Sequence, residues 1–379
     1  MIIDREYVVN RAFQLIQEKQ QNSLKRKSNN DKLFRIKQRF PVFLRKIIFH
    51  PYNPAYSVFL QSKTNQNQLQ KIPSLHPYAV DMVKYFLDND MVFDTSSYYP
   101  ESNDTDIKSF IDYRLKSVIN GFDSAPLSDI QRNALKEREQ LLSLCTKKND
   151  IQCLRKDSKS YYLPIGHQFH EHTYIHEYGL KYLPTEIKEY ISGKIFLDIG
   201  SFIGDTSVML EKNYNPSAIY AYEPVSANFE MLQKTIAINN TDKITPIQKG
   251  IGDQEISMDI FVDPENLSAC SINENQAISE GLKEPIQIST IDNEYKDMPA
   301  VGLIKMDIEG AEYSAIKGGL NIIKRDKPVL LISVYHTAKD FYEIPPLLRE
   351  AVPEYNFRFI DLDHVNPMIE KVIAVYPQL

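Results

Sequence analysis

The stretch IFLDIGSFIGDTSVMLEKNYNPSAIYAYEP, residues 195–224, decides the fold of this chain. It begins with a short apolar run, which predicts a buried strand. A turn with Gly200 and Gly204 follows, and Asp205 and Thr206 can cap the helix that comes next. A second apolar run then ends in an acid. The stretch therefore predicts a strand, a glycine turn, a helix and a second strand with an acid at its end.

This order of elements is typical of a nucleoside site. Gly200 can take a positive φ and lets the backbone approach a ligand without a Cβ in the way. The exposed N–H groups at the start of the next helix face the same point. Glu223 follows the second strand and can accept two hydrogen bonds from a ribose diol. We therefore expect a nucleoside to bind at the carboxyl edge of a parallel sheet.

Two classes of ligand fit such a site. A dinucleotide fingerprint would read G-x-G-x-x-G, but Phe202 stands at the third position of that pattern, where glycine is needed. S-adenosylmethionine has no pyrophosphate, and its methionyl ammonium needs an anion nearby. Asp198, two residues before Gly200, can place that ammonium directly or through water. Asp198 and Gly200 could instead only shape a βα turn, but Glu223 favours the ligand interpretation.

The composition limits the class of protein. The 379 residues suffice for two domains, and a net charge of −6 argues against a general nucleic-acid binder. Cys145, Cys153 and Cys270 show no framework spacing, which predicts a reducing compartment. The N-terminus has charges where a signal peptide needs an apolar core, and no run approaches the length of a membrane span. We expect a cytoplasmic protein.

Glycine divides the chain into two predicted domains. Of 13 glycines, only Gly121 lies before residue 160. Because a parallel sheet needs glycine in its tight turns, residues 1–160 should be mainly helical or irregular, with a role that the sequence does not indicate. Residues 161–379 should form the α/β domain. Amphipathic patterns in the first domain predict helices at 80–87, 107–118 and 128–144, the last capped by Ser128.

A basic segment lies near the N-terminus. Residues 1–71 carry 14 Lys and Arg against 4 Asp and Glu. Within them, residues 33–49 alternate cations with bulky apolar residues, and Pro41 interrupts any helix. This segment can lie on an anionic membrane surface, at the inner face of the membrane. Alternatively, it packs its apolar side on the second domain and leaves its cations in water.

Residues 161–183 are rich in Tyr and His. A metal site is conceivable there, because His172 and His176 would share one face of a helix. However, no Cys or third ligand falls at a standard spacing. The alternatives are an aromatic lid over the nucleoside pocket or simple packing of this segment against the sheet.

The alternation of strands and helices continues beyond Glu223. Further strands are predicted at residues 243–248, 303–306, 329–334, 355–360 and 369–376, with an extra hairpin or edge pairing at 258–262 and 286–289. The last two strands are joined by DLDHVNP, which is too short for a parallel crossover, so they should be antiparallel. A mostly parallel seven-stranded sheet with a reversed last strand is the class I methyltransferase plan, a Rossmann-like α/β fold.

From about residue 160 to residue 377, the chain resembles the FkbM-type S-adenosylmethionine-dependent methyltransferases. The similarity is carried by LDIGSFIGDTS, AYEP, GIGD, LSACSI, LIKMDIEGAE, and SVYH with the following KDFYEIPPLL. LIKMDIEGAE is the most distinctive of these. Phe202 stands where many methyltransferases have glycine, but this family tolerates other residues there. The resemblance implies S-adenosylmethionine as the cofactor and a hydroxyl group of a sugar, glycan, lipid-linked sugar or small secondary metabolite as the acceptor.

The resemblance also implies site residues. The set predicted to bind the cofactor is Asp198, Gly200, Ser201, Gly204, Asp205, Thr206, Glu223, Asp253 and Asp307. The residues with an implied active-site role are Lys305, Asp307, Glu309 and Glu312. Asp253 can reach an adenine amino group, although Asp in a glycine turn is also ordinary turn chemistry. No metal ligand is assigned.

A hydroxyl group is a weak acid, so its methylation benefits from a base or a metal ion. His336 directly follows the fifth strand and is the best candidate for the base, by its unperturbed pKa near ~6.5. Asp307 and Glu309 are alternatives, either as the base or as ligands of a divalent ion. His336 could instead bond to the backbone, and Glu312 could simply complement a helix dipole.

Two other classes of function remain open. One is a catalytically inactive binding protein on a methyltransferase fold, against which the intact Asp198, Glu223 and Glu309 argue. The other is an oxidoreductase on a Rossmann core, which Phe202 and the reversed last strand oppose.

Overall fold

The computed structural model describes residues 1–27, 69–89, 92–100, 102, 104–119, 124–262 and 282–379. The basic segment 33–49, the LSACSI motif and Cys270 lie outside these described residues. The described residues form two compact units. The first is Met1–Arg132 with Val365–Met368, and the second is Asn133–His364 with Ile369–Leu379.

Helices make up most of the described part of the first unit. They are α1 (Arg5–Lys27), α2 (Pro77–Asp88), α3 (Thr95–Tyr98) and α4 (Asp104–Val118). Short strands β1 (Ile2–Asp4) and β3 (Val92–Asp94) pair antiparallel, as do β2 (Leu69–Lys71) and β4 (Ser124–Pro126). The helical spacing of apolar residues predicted for α4 is confirmed by its buried side chains, which are Ile107, Phe110, Ile111, Leu115 and Val118.

The predicted cap at Ser128 is confirmed. Helix α5 (Asp129–Ser143) begins directly after it. The N–H of Gln131 donates to Ser128 Oγ at 3.2 Å, and the N–H of Ser128 donates to Gln131 Oε1 at 2.9 Å. This reciprocal pair is a capping box, and its loss would destabilise the helix by about 1 kcal/mol.

A three-stranded antiparallel meander follows, which the sequence analysis did not predict. It consists of β5 (Cys145–Lys148), β6 (Ile151–Lys156) and β7 (Lys159–Pro164). The turn between β6 and β7 has φ of 50° at Asp157 and 61° at Ser158. A tight hairpin turn usually takes glycine or Asn at such positions. Because this turn contains no glycine, the scarcity of glycine before residue 160 did not indicate that strands are present.

The meander belongs to the second unit, so the predicted domain boundary near residue 160 lies inside that unit. The reason is burial: Leu154, Tyr161 and Leu163 are part of the same hydrophobic cluster as the strands of the main sheet. Apolar side chains that share one core fold as one unit.

The main sheet has the predicted class I methyltransferase architecture. Its strands, in spatial order, are β10 (Ile244–Ile247), β9 (Ala218–Tyr222), β8 (Ile195–Ile199), β14 (Val301–Met306), β15 (Val329–Ser333), β17 (Lys371–Pro377) and β16 (Tyr355–Asp361). All neighbours are parallel except β17, which is antiparallel to both β15 and β16. The predicted reversal of the last strand is confirmed.

The remaining strands and helices surround this sheet. A separate sheet contains β11 (Gly250–Ile251), β12 (Ile256–Val262) and β13 (Leu282–Ser289), and the predicted extra pairing is the antiparallel pair β12–β13. The helices are α6 (Glu171–Tyr174), α7 (Glu186–Ile191), α8 (Asp205–Tyr214), α9 (Ser226–Asn239), α10 (Ile291–Tyr295), α11 (Glu312–Lys317), α12 (Leu320–Asp326) and α13 (Ala338–Ala351), with a 3₁₀ helix at Glu177–Tyr182.

Two short helices, α11 and α12, follow β14 in place of one continuous helix. Gly318 lies in the break between them, where a Cβ would come within 2.0 Å of the carbonyl oxygen of Gly252. The backbone of the break therefore packs directly on the turn that contains Gly252. Only glycine permits that approach.

This topology brings the ends of several strands to one edge of the sheet. The carboxyl ends of β8, β9, β14 and β15 lie at the same edge because these strands are parallel. Strand β17 runs the other way, so it begins at this edge, where the N–H of Val334 donates to the carbonyl of Lys371 at 2.9 Å. Ligands of open α/β sheets bind at this edge, where the strand order reverses.

Among the helices of the described residues, none combines the length and the apolar character that crossing a bilayer requires.

Candidate active site

The glycine turn after β8 lies against the end of β14. Gly200 has a φ of +76°, and a Cβ there would lie 1.9 Å from the carbonyl oxygen of Asp307. The N–H groups of Gly200 and Ser201 both donate to the carbonyl of Tyr222, at 3.0 and 2.9 Å. The turn is therefore fixed between β9 and β14, and glycine is required at its first position.

Glu223 bonds to this turn from the end of β9. Its Oε2 accepts the N–H of Phe202 at 3.0 Å, and its Oε1 accepts the N–H of Val225 at 3.0 Å. The residue is 5% exposed. Burial outweighs these donors and raises the pKa of Glu223 to about 7. Glu223, the predicted hydrogen-bond partner of the ribose, therefore also holds the turn that would face the cofactor.

Asp198 lies beneath the turn and has no exposed surface. Ser207 Oγ donates to its Oδ2 at 2.5 Å, and Lys305 Nζ lies 3.1 Å from its Oδ1. Asp198 thus pairs with Lys305 through an oxygen, Oδ1, that accepts no hydrogen bond among the described residues. These contacts fix the position of Asp198 under the turn, and its contact with a methionyl ammonium, directly or through water, stays a prediction.

Lys305 joins the ends of β8 and β14. Besides its contact with Asp198, its Nζ donates to the carbonyl of Gly200 at 2.6 Å. Burial alone would lower the pKa of Lys305, but the carboxylates of Asp198 and Asp307 outweigh burial and raise it. Lys305 therefore stays charged and holds the turn, and its active-site role stays a prediction.

The start of α8 differs in detail from its prediction. The helix begins at Asp205, and its N-cap is Gly204, at a φ of 82°. Asp205 and Thr206 therefore do not cap it, because they already lie in its first turn, where an acid complements the helix dipole. Asp205 Oδ2 instead accepts the Thr173 hydroxyl at 3.1 Å.

Two further residues of the predicted cofactor set make protein contacts. The hydroxyl of Ser201 donates to the carbonyl of Tyr222 at 3.2 Å. Asp253 lies on the surface, with its Oδ2 3.2 Å from Lys317 Nζ and its N–H donating to Ser314 Oγ at 3.1 Å. Contact of Asp253 with adenine stays a prediction, and it would compete with this exposed ion pair.

The predicted catalytic groups from β14 and β15 converge. His336 Nε2 lies 3.5 Å from Asp307 Oδ1 and 3.6 Å from Glu309 Oε2. The opposite ring nitrogen, Nδ1, lies 2.9 Å from Glu312 Oε1. The rule that carboxyl ends of parallel strands meet at one edge therefore identified the right neighbours.

Glu312 positions both the imidazole and the loop before it. Its Oε1 also accepts the N–H of Ile308, and its Oε2 accepts the N–H of Gly310, both at 2.9 Å. Glu312 is the first residue of α11, where an acid also complements the helix dipole. Its three hydrogen-bond contacts give it a second role, which is to position the ring and the loop. They fix which ring nitrogen of His336 faces Asp307 and Glu309.

The surroundings of His336 change its acidity. The ring is 1% exposed, and burial alone would lower its pKa. The carboxylates of Glu309, Glu312 and Asp307 outweigh burial and raise the pKa of His336 to about 10. The premise of an unperturbed pKa therefore does not hold here, and the ring carries a proton at neutral pH. Its role as a base stays a prediction.

Two tyrosines that the sequence analysis missed bond to Asp307. The hydroxyl of Tyr178 donates to Oδ2 at 2.9 Å, and that of Tyr335 donates to Oδ1 at 3.2 Å. Tyr178 comes from the Tyr/His-rich segment 161–183, whose richness in aromatics was the available signal. It lies within the 3₁₀ helix at a backbone φ of 52°.

The two histidines proposed to share a helix face do not share a helix. Helix α6 ends at Tyr174, so it includes His172 but not His176. His176 Nδ1 is hydrogen-bonded to the Tyr182 hydroxyl, whereas His172 Nδ1 lies 3.6 Å from Glu370 Oε2. The two rings have different partners, which removes the basis for a metal site at this pair.

A divalent ion at the sheet edge has other potential ligands. Asp307, Glu312 and His336 each offer a donor atom within 4.8 Å of the others. Glu312 already accepts two backbone N–H groups and contacts the ring. Glu312 therefore orients the ring from behind, which leaves Asp307 and His336 as the members of this group that are open to an ion. A contribution from Glu309 stays a prediction.

Comparison with known proteins is consistent with this geometry. Residues 198–359 match the family model described as the methyltransferase FkbM domain. Methyltransferase 1 of Beauveria bassiana (strain ARSEF 2860) is 22% identical over an alignment of 152 residues, and the match covers 35% of this chain and 61% of that protein. The chain thus spans about three-fifths of the length of this relative.

The solved structures to which this chain is similar include methyltransferase FkbM from Methylobacillus flagellatus KT, at 25% identity and a TM-score of 0.38, covering 49% of this chain and 44% of that one. M. jannaschii TYW2 in complex with AdoMet is 15% identical, with a TM-score of 0.33, covering 62% of this chain and 89% of that one. The fold assignment rests on the strand order of this chain, and residues 198–359 are a methyltransferase FkbM domain by their match to that family model.

Proposed function

We propose that this protein transfers a methyl group from S-adenosylmethionine to a hydroxyl group of a sugar, glycan, lipid-linked sugar or small secondary metabolite. One observation supports this most strongly. The turn held by Glu223 and the cluster of Asp307, Glu309 and His336 lie at the same edge of the sheet, and Gly200 contacts Asp307 directly. A nucleoside site and acid–base groups are thus adjacent.

The residues around the turn fit a nucleoside with a ribose. Glu223 Oε2 accepts one N–H, and a carboxylate oxygen has lone pairs for two donors. A ribose hydroxyl can therefore bond to Glu223 without displacing Phe202. Gly200 and Gly204, both at positive φ, keep the backbone beside this acid free of side chains.

The methylsulfonium of S-adenosylmethionine supplies a methyl group that is already activated. The protein's own task is to align the acceptor oxygen and to remove its proton. We propose that His336 Nε2, in its neutral form, takes that proton. Glu312 holds Nδ1, so Nε2 faces Asp307 and Glu309 and the imidazolium that forms lies between carboxylates that stabilise it.

This role predicts a specific dependence on pH. Because the pKa of His336 is about 10, the neutral ring becomes more abundant as the pH rises. We expect kcat/KM to rise with pH from about 7 toward about 10, measured with labelled methyl groups at saturating S-adenosylmethionine. A carboxylate base would already be ionised at neutral pH, so a flat profile over this range would contradict the assignment to His336.

Binding of S-adenosylhomocysteine tests the cofactor part of the proposal. Ligand at about 100 times its Kd should stabilise the folded protein by about 2.7 kcal/mol, seen as a higher melting temperature. NAD at the same concentration should have no effect. Stabilisation by NAD alone would favour an oxidoreductase.

A screen for labelled-methyl transfer to cell glycans, lipid-linked sugars and small hydroxylated metabolites tests the reaction itself. We expect label in at least one hydroxylated fraction. Stabilisation by S-adenosylhomocysteine without transfer to any fraction would instead favour the inactive binding protein.

A further inference from the structure

Glu370 is a buried acid at the active-site edge that the proposed reaction does not use. It directly precedes β17, and that strand begins at the edge where β14 and β15 end. Its backbone φ is +58°, a conformation that residues other than glycine seldom adopt. Its carbonyl accepts the N–H of Leu362 at 2.9 Å, which holds it across the hairpin between β16 and β17.

One carboxyl oxygen of Glu370 is buried without a hydrogen bond from the described residues. The residue is 9% exposed, and its Oε2 has no hydrogen-bond partner among the described residues. The approach of His172 Nδ1, at 3.6 Å, is too long for a good hydrogen bond. Buried carboxyl oxygens usually have a partner, so this one is open to a donor beyond the described residues, such as a bound ligand.

Glu370 and His172 connect to the acid cluster through an aromatic ring. His172 packs edge-on to Tyr178, with ring centroids 6.1 Å apart. The Tyr178 hydroxyl donates to Asp307 Oδ2 at 2.9 Å. A row of polar groups therefore extends from the cluster around His336 to Glu370.

The charge state of this pair favours a neutral polar ligand. The pKa of Glu370 lies well above its ordinary value because of burial, and then because of the negative charges of Asp307 and Asp363. The positive charges of Lys371 and His336 lower it by less. Burial, and then the positive charges of His170, Lys305, His176 and Arg138, lower the pKa of His172. These two shifts favour the protonated carboxyl and the neutral imidazole, and each of those forms can donate and accept a hydrogen bond. A hydroxyl group, which also does both, is the matching ligand.

We propose that Glu370 and His172 bind a second hydroxyl group of the methyl acceptor, and that the site thereby selects polyhydroxylated acceptors, as a sugar ring would be. This inference rests on the proposed methyltransferase function. Asp307 and His336 act on the hydroxyl that is methylated, while Glu370 bonds to another hydroxyl of the same molecule. Glu370 is a binding residue in this account and transfers no proton.

Two substitutions of Glu370 test the inference. Glu370→Gln keeps a donor and an acceptor in the same place, and Glu370→Ala removes both. The probes are methyl glycosides of glucose, galactose, mannose and rhamnose, titrated into protein saturated with S-adenosylhomocysteine and followed by ligand-observed NMR. The control is Glu354→Gln, a similar change at an exposed ion pair with Lys327.

We expect the wild type to bind at least one glycoside, with an affinity reduced at least about fivefold in Glu370→Ala and within about threefold of wild type in Glu370→Gln. Affinity for S-adenosylhomocysteine should stay within about twofold in both variants. A glycoside affinity that is unchanged in Glu370→Ala, equally reduced in both variants, or absent from the wild type would overturn the inference. Absence of S-adenosylhomocysteine binding in the wild type would instead overturn the proposed function. Melting temperatures identify a variant that fails to fold, and in that case Glu370→Gln alone decides.

Discussion

Replacement of His336 by alanine should lower kcat by about 10²- to 10⁴-fold, the usual contribution of a general base. Affinity for S-adenosylhomocysteine should change by less than about threefold, because the ring contacts Asp307, Glu309 and Glu312 and not the glycine turn. Single-turnover transfer of labelled methyl groups and calorimetry measure the two quantities.

The matched control is His364→Ala. His364 lies in the hairpin loop between β16 and β17, and its Nδ1 is 3.3 Å from Asp361 Oδ2. It is therefore a histidine paired with a carboxylate, as His336 is, but outside the cluster. The control should keep near wild-type turnover. A His336→Ala variant within about threefold of wild type, at saturating cofactor and acceptor, would contradict the base assignment.

A divalent ion offers the competing route. If an ion on Asp307 and Glu309 activated the acceptor, His336→Ala would keep most of its activity and EDTA would abolish it. Turnover of His336→Ala, Glu309→Gln and the chelated wild type separates the two routes. We expect EDTA to leave the wild-type rate unchanged.

Loss of His336 should also affect stability, so folding must be measured beside activity. The pKa of the ring is raised from 6.5 to about 10 in the folded state, so its charge stabilises the fold fully below pH 6.5, and this contribution is lost as the pH rises through about 10. The variant removes that charge and leaves the buried Glu312 without its cationic partner. Melting temperatures from about pH 6 to pH 10 should therefore fall less steeply for the variant than for the wild type.

Much of the site could be predicted because it depends on local pattern and sheet topology. The glycine turn and Glu223 belong to one continuous strand–helix–strand unit, and the short DLDHVNP loop required an antiparallel last pair. Once the strands were placed, the rule that parallel strands end at one edge brought Asp307 and His336 together.

The features that could not be predicted arise from tertiary contacts. Asp198 and Lys305 are far apart in sequence, and only the pairing of β8 with β14 puts the lysine against the acid. The raised pKa of His336 requires three carboxylates to face one buried ring, and the spacing of these residues in the sequence does not indicate that arrangement. Tyr178 and Glu370 each reach the edge from a left-handed backbone position without glycine, and sequence pattern gives no signal for that conformation.

Replacement of Glu223 by alanine should weaken S-adenosylhomocysteine binding by about 1.5–3 kcal/mol, the value of a hydrogen bond to a charged group, which is about 10- to 150-fold in Kd. The same change removes the acceptor for the N–H groups of Phe202 and Val225, so the unliganded protein should also melt at a lower temperature. Glu354→Ala is the control, because Glu354 is an exposed acid paired with Lys327 and bonds to neither the turn nor Glu223.

The pH dependence of binding separates a ribose contact from a purely structural role of Glu223. With a pKa of about 7, this carboxyl is protonated below that pH and ionised above it. An ionised carboxylate is the stronger acceptor for ribose hydroxyls, so wild-type affinity for S-adenosylhomocysteine should rise between about pH 6 and pH 8. Glu223→Gln cannot ionise and should bind with an affinity that is flat over this range. If wild type and Glu223→Gln showed the same affinity and the same pH profile in calorimetry, Glu223 would only hold the turn, and the ribose would need another partner.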